Sequence, residues 1–104
     1  MTEADLMRSI MVALSTDGHF VARANVGLFF TADGRPVKTG LPKGFSDLFG
    51  HRLWDCRAFY LEVKTAKGRA SPEQLAFIAA MQKRGAIAAV VRSVEDARLA
   101  VNAG

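Results

Sequence analysis

Glu62 and Lys64 stand two residues apart in Leu61-Glu62-Val63-Lys64-Thr65, and fourteen residues separate Glu62 from Asp47. In an extended strand alternate side chains share a face, so Glu62 and Lys64 point one way and Leu61, Val63 and Thr65 the other. A carboxylate is thereby set beside an ammonium at the end of an apolar stretch, Phe59-Tyr60-Leu61. Asp47 sits in a segment of its own, Gly44-Phe45-Ser46-Asp47-Leu48-Phe49-Gly50. Two acids and a lysine meeting at one point suit metal-assisted cleavage of a phosphodiester. The acids can hold Mg²⁺, while metal and lysine ready a water and neutralise the charge that builds on phosphate. Hard carboxylate oxygens suit Mg²⁺ or Mn²⁺, and the lack of a His/Cys cluster argues against zinc. His19 and His51 stand alone, and His51 reads as a loop residue rather than a ligand.

The elements that must position these residues follow from periodicity and punctuation. Residues 2–16 read as a helix, with Thr2 as cap, Leu6, Met7, Ile10, Met11 and Leu14 at helical spacing, and Asp17-Gly18 as stop. Phe20 to Ala24, Gly27 to Thr31 and Arg35 to Lys38 read as strands with at least one hairpin at Asp33-Gly34. A Gly/Pro/Lys loop leads from Gly40 to Gly44, Asp47 opens a short strand, and Ala58 to Thr65 forms a longer one. Ser71, Pro72 and Gln74 mark the start of a helix over residues 72–84, which Gly85 ends. Ala86 to Arg92 is a continuous apolar run, as in a strand covered on both faces. Ser93-Val94-Glu95-Asp96 opens a last helix. The strand–helix–strand unit implies parallel strands joined by a right-handed crossover. The expected fold is an α/β (α+β) domain in the order αββββαβα, a mixed central sheet flanked by helices.

Composition sets the frame. The 104 residues are 50% hydrophobic, enough for one core and no second, so the chain reads as a single domain over residues 1–104. Fourteen Lys+Arg against ten Asp+Glu give +4 and a pI near 9.7, which suits an anionic partner such as nucleic acid. The single Cys56 excludes an intrachain disulfide and a cysteine-based zinc site, consistent with a reducing compartment. No apolar run reaches membrane-spanning length and the start carries acids, so the chain is expected in the cytoplasm.

Two polar residues fall on apolar faces. At about 100° per residue Glu3 aligns with Met7, Ile10 and Leu14, while Asp5 faces solvent. A carboxylate there either favours the helix dipole from a frayed first turn or needs something positive to receive it. Gln74 aligns with Ile78 and Met81, and either closes a capping box with Ser71 or faces a site.

Together these residues resemble the VRR-NUC domain, the virus-type replication-repair nuclease branch of the PD-(D/E)xK superfamily, and its stand-alone phage type in particular. The resemblance rests on Glu3, Arg23-Ala24-Asn25-Val26-Gly27, Gly40, Gly44 to Leu48, Leu61 to Thr65, Gly68-Arg69, Ser71 to Gln74, Gly85 and Val91 to Asp96. The most specific part is Lys-Thr-x-Lys-Gly-Arg-x-Ser-Pro-x-Gln directly after the acid–lysine pair. Ser46 departs from the proline often found before the first acid, a position that sets backbone direction and carries no ligand. The resemblance implies a restriction-endonuclease-like core and Mg²⁺-dependent cleavage of DNA, with Mn²⁺ able to substitute. It implies Asp47, Glu62, the Val63 carbonyl and Glu3 as metal ligands, Glu3 directly or through water. It also implies Lys64 acting on the attacking water and the phosphorane-like charge, and Gln74 lining the site.

Expected DNA contacts are Arg23, Lys38, Lys43, Lys67 and Arg69, which flank the site motifs. Stand-alone virus-encoded relatives act as homodimers on four-way junctions, so the resemblance implies a homodimeric Holliday junction resolvase, with flap or repair nucleases and a non-catalytic DNA-binding module as alternatives. Phe29, Phe30, Phe45, Phe49 and Trp54 exceed what so small a core needs, consistent with a dimer face. Trp54 reads equally as a core, interface or wedge residue.

Overall fold

The first helix, α1 (Glu3–Thr16), begins where local chemistry dictates. The Thr2 hydroxyl accepts the Asp5 N–H at 3.1 Å and the Asp5 carboxylate accepts the Thr2 N–H at 3.3 Å, a reciprocal cap. It ends at Asp17, followed by Gly18 at φ +93. Its stripe of Leu6, Met7, Ile10 and Leu14 is buried. This is a computed structural model, and it describes residues 1–104.

Strands β1 (Phe20–Arg23), β2 (Leu28–Phe30), β3 (Pro36–Lys38), β4 (Leu48–His51) and β5 (Ala58–Val63) follow, then α2 (Pro72–Lys83), β6 (Ile87–Val91) and α3 (Val94–Asn102). Five strands therefore precede α2, the same five segments that the sequence marks, although the order αββββαβα counts four. β2 and β3, the segments on either side of Asp33-Gly34, pair only with each other in a separate two-stranded sheet. Every residue of that hairpin's strands is exposed, and Phe30 remains 67% accessible.

The main sheet is mixed, as expected, in the order β1-β4-β5-β6. β1 and β5 flank β4 antiparallel, and β6 runs parallel to β5 with Glu62 opposite Val90. β5 ends at Val63 rather than Thr65, although Lys64 still donates its N–H to the Val91 carbonyl at 3.1 Å.

Period-two alternation in β5 divides the molecule into two layers. Phe59, Leu61 and Val63 join Leu48, Ile87 and Val91 against Ile10 and Leu14 of α1 and Ala97 and Val101 of α3. Each fully buried aliphatic or phenyl side chain there contributes roughly 1.5–3 kcal/mol. Tyr60 and Glu62 face the other way, toward α2. An aromatic cluster fills that side: Phe45 packs on Phe77 at 4.8 Å and on Tyr60 and Phe49 at 5.8 Å. Helices α2 and α3 both touch β6, which explains its continuous apolar run.

Phe45 and Phe49 are thus committed inside the subunit, because α2 needs an aromatic layer to sit on, and cannot serve as a free face. Trp54 stays exposed but lies over the buried Arg52 guanidinium at 4.7 Å and edge-on to His19 at 5.5 Å. Arg52 is 2% exposed and donates to Asp55 and to the carbonyls of Val101 and Ala103. His51 stacks on Phe20 at the far end of β4 from Asp47. No helix is long and apolar enough to cross a membrane.

Candidate active site

Asp47 lies immediately before β4, held by its backbone on two sides. Its carbonyl accepts the Ala24 N–H at 2.9 Å, and the buried Ser46 hydroxyl donates to the Leu48 carbonyl at 2.9 Å, tying the entry to the strand. Ser46 so fixes backbone direction by a hydrogen bond where a proline would do it by its ring. The Asp47 carboxylate reaches across to β5, where Oδ2 accepts the Val63 N–H at 2.8 Å. The loop before it packs tightly on α2. Gly44 has φ +90, and a Cβ there would lie 2.5 Å from the Glu73 carbonyl oxygen.

Glu62 is the centre of the arrangement and is only 1% exposed. Its Oε1 accepts from the Gln74 amide at 2.7 Å and lies 3.6 Å from Lys64 Nζ, so Glu62 and Lys64 do share the α2-side face. Its Oε2 is buried with no hydrogen-bond partner. Burial, then the Asp47 carboxyl beside it, pushes the Glu62 carboxyl up to about 8, with Lys64 pulling the other way. Burial and the Asp47 carboxyl thus favour the neutral form of Glu62, against the pull of Lys64 at 3.6 Å.

Gln74 satisfies both readings of its position at once. It is the third residue of α2, and its Oε1 accepts the Ser71 N–H at 2.8 Å while its own N–H donates to Ser71 Oγ at 3.2 Å. The remaining amide hydrogens face Glu62. One side chain thereby caps the helix and holds the acid.

Glu3 is not drawn into this group. It is half-buried in the first turn of α1, with neither hydrogen bond nor ion pair to Asp47 or Glu62, and nowhere do three acidic, histidine or cysteine side chains gather closely enough to hold a metal. The cap at Thr2 fixes the first turn by its own Asp5, and the helix stripe seats on the opposite side of β5 from Glu62. Helical spacing told which face Glu3 occupies, not which face of the sheet that helix covers.

A cavity of about 360 Å³ opens at the site, walled by Arg23, Asn25, Phe29, Phe45, Asp47 and Gln74. Arg23 is exposed on its rim, and Lys43 is engaged by Glu73 in an exposed ion pair at 3.4 Å. Lys67 and Arg69 lie instead in a second cavity of about 440 Å³, beyond the end of β5. Lys38 is exposed on the hairpin. Arg92 is not among the expected DNA contacts although it shares that second cavity. A basic residue directly after a strand parallel to β5 was the available signal, since such strands end side by side.

The residues present fit a hard divalent cation. Two neighbouring carboxylates, one with a buried and unpartnered oxygen, are a costly arrangement that a cation would relieve. Asp47 keeps one carboxylate oxygen outside its bond to Val63.

No curated protein matches the sequence. Among solved structures, one described as a VRR_NUC domain superposes with a TM-score of 0.68 at 22% identity, covering 98% of this chain and 97% of the other. A second, a VRR_NUC domain protein, gives 0.58 at 19% identity, covering 92% and 81%. These likenesses show that the chain shares the fold of those domains. A family model, the VRR-NUC domain, matches residues 34–95, a span that holds Asp47, Glu62, Lys64 and Gln74. That match extends over more than half of the sequence, and the chain belongs to the VRR-NUC domain family.

Proposed function

We propose that this protein is a divalent-metal-dependent endonuclease that hydrolyses phosphodiester bonds in branched DNA. The observation that carries the reading is the buried Glu62, held by Gln74 and Lys64 beside Asp47, with one carboxylate oxygen left without a partner. Asp47 and Glu62 would hold Mg²⁺, with the Val63 carbonyl as a further oxygen donor and Glu3 contributing through water. When bound, the metal supplies a Lewis acid and an activated water.

The chain's own groups do the rest. Gln74 keeps Glu62 oriented, because its carbonyl is committed to the helix cap. The Asp47 bond to the Val63 N–H keeps the loop before β4 docked on the end of β5. Lys64, mostly buried, places a positive charge where an attacking water and a negatively charged phosphorane would sit. Arg23 on the cavity rim, with Lys38, Lys43, Lys67 and Arg69, would meet backbone phosphates.

A homodimer acting on a four-way junction is the assembly we favour. An isolated two-stranded hairpin is marginal in water, and β2–β3 leaves Leu28, Phe29, Phe30 and Val37 about half exposed or more. A second copy would cover such a surface, and two sites related by a two-fold axis suit the symmetry of a Holliday junction.

The test is cleavage of labelled four-way junction, flap, duplex and single-stranded DNA, each with Mg²⁺ and with EDTA. Paired symmetric nicks in the junction, absent with EDTA, are the expected outcome. Cutting of flaps alone would make this a repair-type nuclease. Binding without cutting in Mg²⁺ or Mn²⁺ would make it a non-catalytic module.

A further inference from the structure

Arg92 follows β6 and reaches over the loop that follows β5. Its Nη1 donates to two carbonyls of that loop, Thr65 at 2.6 Å and Gly68 at 2.7 Å. Its Nε and Nη2 donate to no protein atom, and no carboxylate forms an ion pair with Arg92, Lys67 or Arg69. The acid nearest in sequence, Asp96, accepts the backbone N–H of Arg92 through Oδ2. Arg92, Lys67 and Arg69 line one cavity of about 440 Å³ together with Ala66 and Gly68, and no acid is on its wall.

Three cations held around one hollow without a counter-ion repel one another, and an anion between them removes that cost. The hollow is built rather than incidental, because the guanidinium that contributes charge also clamps the loop that carries the other two. The same loop rests on the site: a Cβ at Gly68 would lie 3.4 Å from both Cβ and Cδ of Lys64. We propose that Lys67, Arg69 and Arg92 form a pocket for a DNA backbone phosphate other than the one cleaved, with Arg92 both binding it and bracing the loop. This rests on the reading of the chain as a DNA nuclease. An extended strand seated with one phosphate here is registered along its length against Lys64 and Glu62, so the pocket sets which phosphodiester is presented to them.

The experiment is binding of a labelled four-way junction in EDTA, followed by anisotropy, using DNAs in which single phosphates near the cut are replaced by neutral methylphosphonates. One position beside the cleaved phosphate should weaken binding by the wild-type protein several-fold. Arg92→Ala should weaken binding of unmodified DNA and lower the slope of log K against log salt by about one. That variant should also lose its sensitivity to the same methylphosphonate. Because Arg92 braces the loop, Lys67→Gln and Arg69→Gln, both exposed, supply the same comparison without risk to the fold. Equal methylphosphonate sensitivity in wild type and all three variants, or none at any position, would overturn the pocket. A wild type that shows the sensitivity yet cuts nothing in Mg²⁺ or Mn²⁺ would keep the pocket and remove the nuclease reading.

Discussion

Glu62 spends its two oxygens differently, one on donors and one on nothing, and the residue-scale predictions come from that asymmetry. Glu62→Ala and Lys64→Ala should each lower cleavage by about a thousandfold or more while DNA binding and the thermal melt stay near wild type, measured by single-turnover cutting beside anisotropy. Cutting at wild-type rate by either variant would mean that the site lies elsewhere. The pH dependence has a definite sign. The folded protein holds the Glu62 proton up to about pH 8, against an ordinary 4.5, so between those values the folded state binds more protons than the unfolded. In metal-free buffer the contribution to stability is whole below pH 4.5 and is lost as pH rises toward 8. Glu62→Gln should flatten that part of the curve, and melts in EDTA at a series of pH values will read it.

At the scale of elements, α2 is tied to the site through its first turn. Ser71→Ala removes the hydroxyl that accepts the Gln74 backbone N–H, a helix cap worth about 1 kcal/mol, and leaves the Gln74 side-chain carbonyl on the Ser71 N–H. A lower melting temperature with cleavage near wild type is therefore expected of Ser71→Ala, whereas Gln74→Ala, which removes the bond to Glu62, should slow cleavage as well. The helix boundaries were legible in the sequence because capping is local: Thr2, Ser71 and Ser93 each accept an N–H three residues on, and the stops at Asp17-Gly18 and Gly85 fall where expected. Glu62 and Lys64 were legible because strand alternation is equally local. The detached hairpin was not, since Leu28, Phe29 and Phe30 have the composition of a sheet strand and their lack of a core partner is a tertiary fact. The place of Glu3 relative to the sheet and the part taken by Arg92 were illegible for a related reason. Spacing places a residue on its own element, and which side of the sheet that element covers is decided by packing.

For the molecule as a whole the exposed hairpin is the feature most in need of a partner. Phe29→Ser with Phe30→Ser should convert a dimer to a monomer in sedimentation at micromolar concentration, and should cost junction cleavage more than cleavage of simple duplex. A wild-type chain that sediments as a monomer would remove the dimer and with it the two-fold match to a junction. The main core, by contrast, is separate from the hairpin, so the double variant should melt as cooperatively as the parent.

Gln74 has one more consequence. Its carbonyl must accept the Ser71 N–H, so only its NH₂ can face Glu62, and the Glu62 oxygen it meets must be an acceptor. That bond favours a carboxyl proton on Oε2, the oxygen without a partner. Proton and metal then compete for one atom. Loading the site at neutral pH should release protons, which calorimetry in buffers of different ionisation enthalpy counts directly. On the proposed reading, acid would displace the cation from this site rather than unfold the protein.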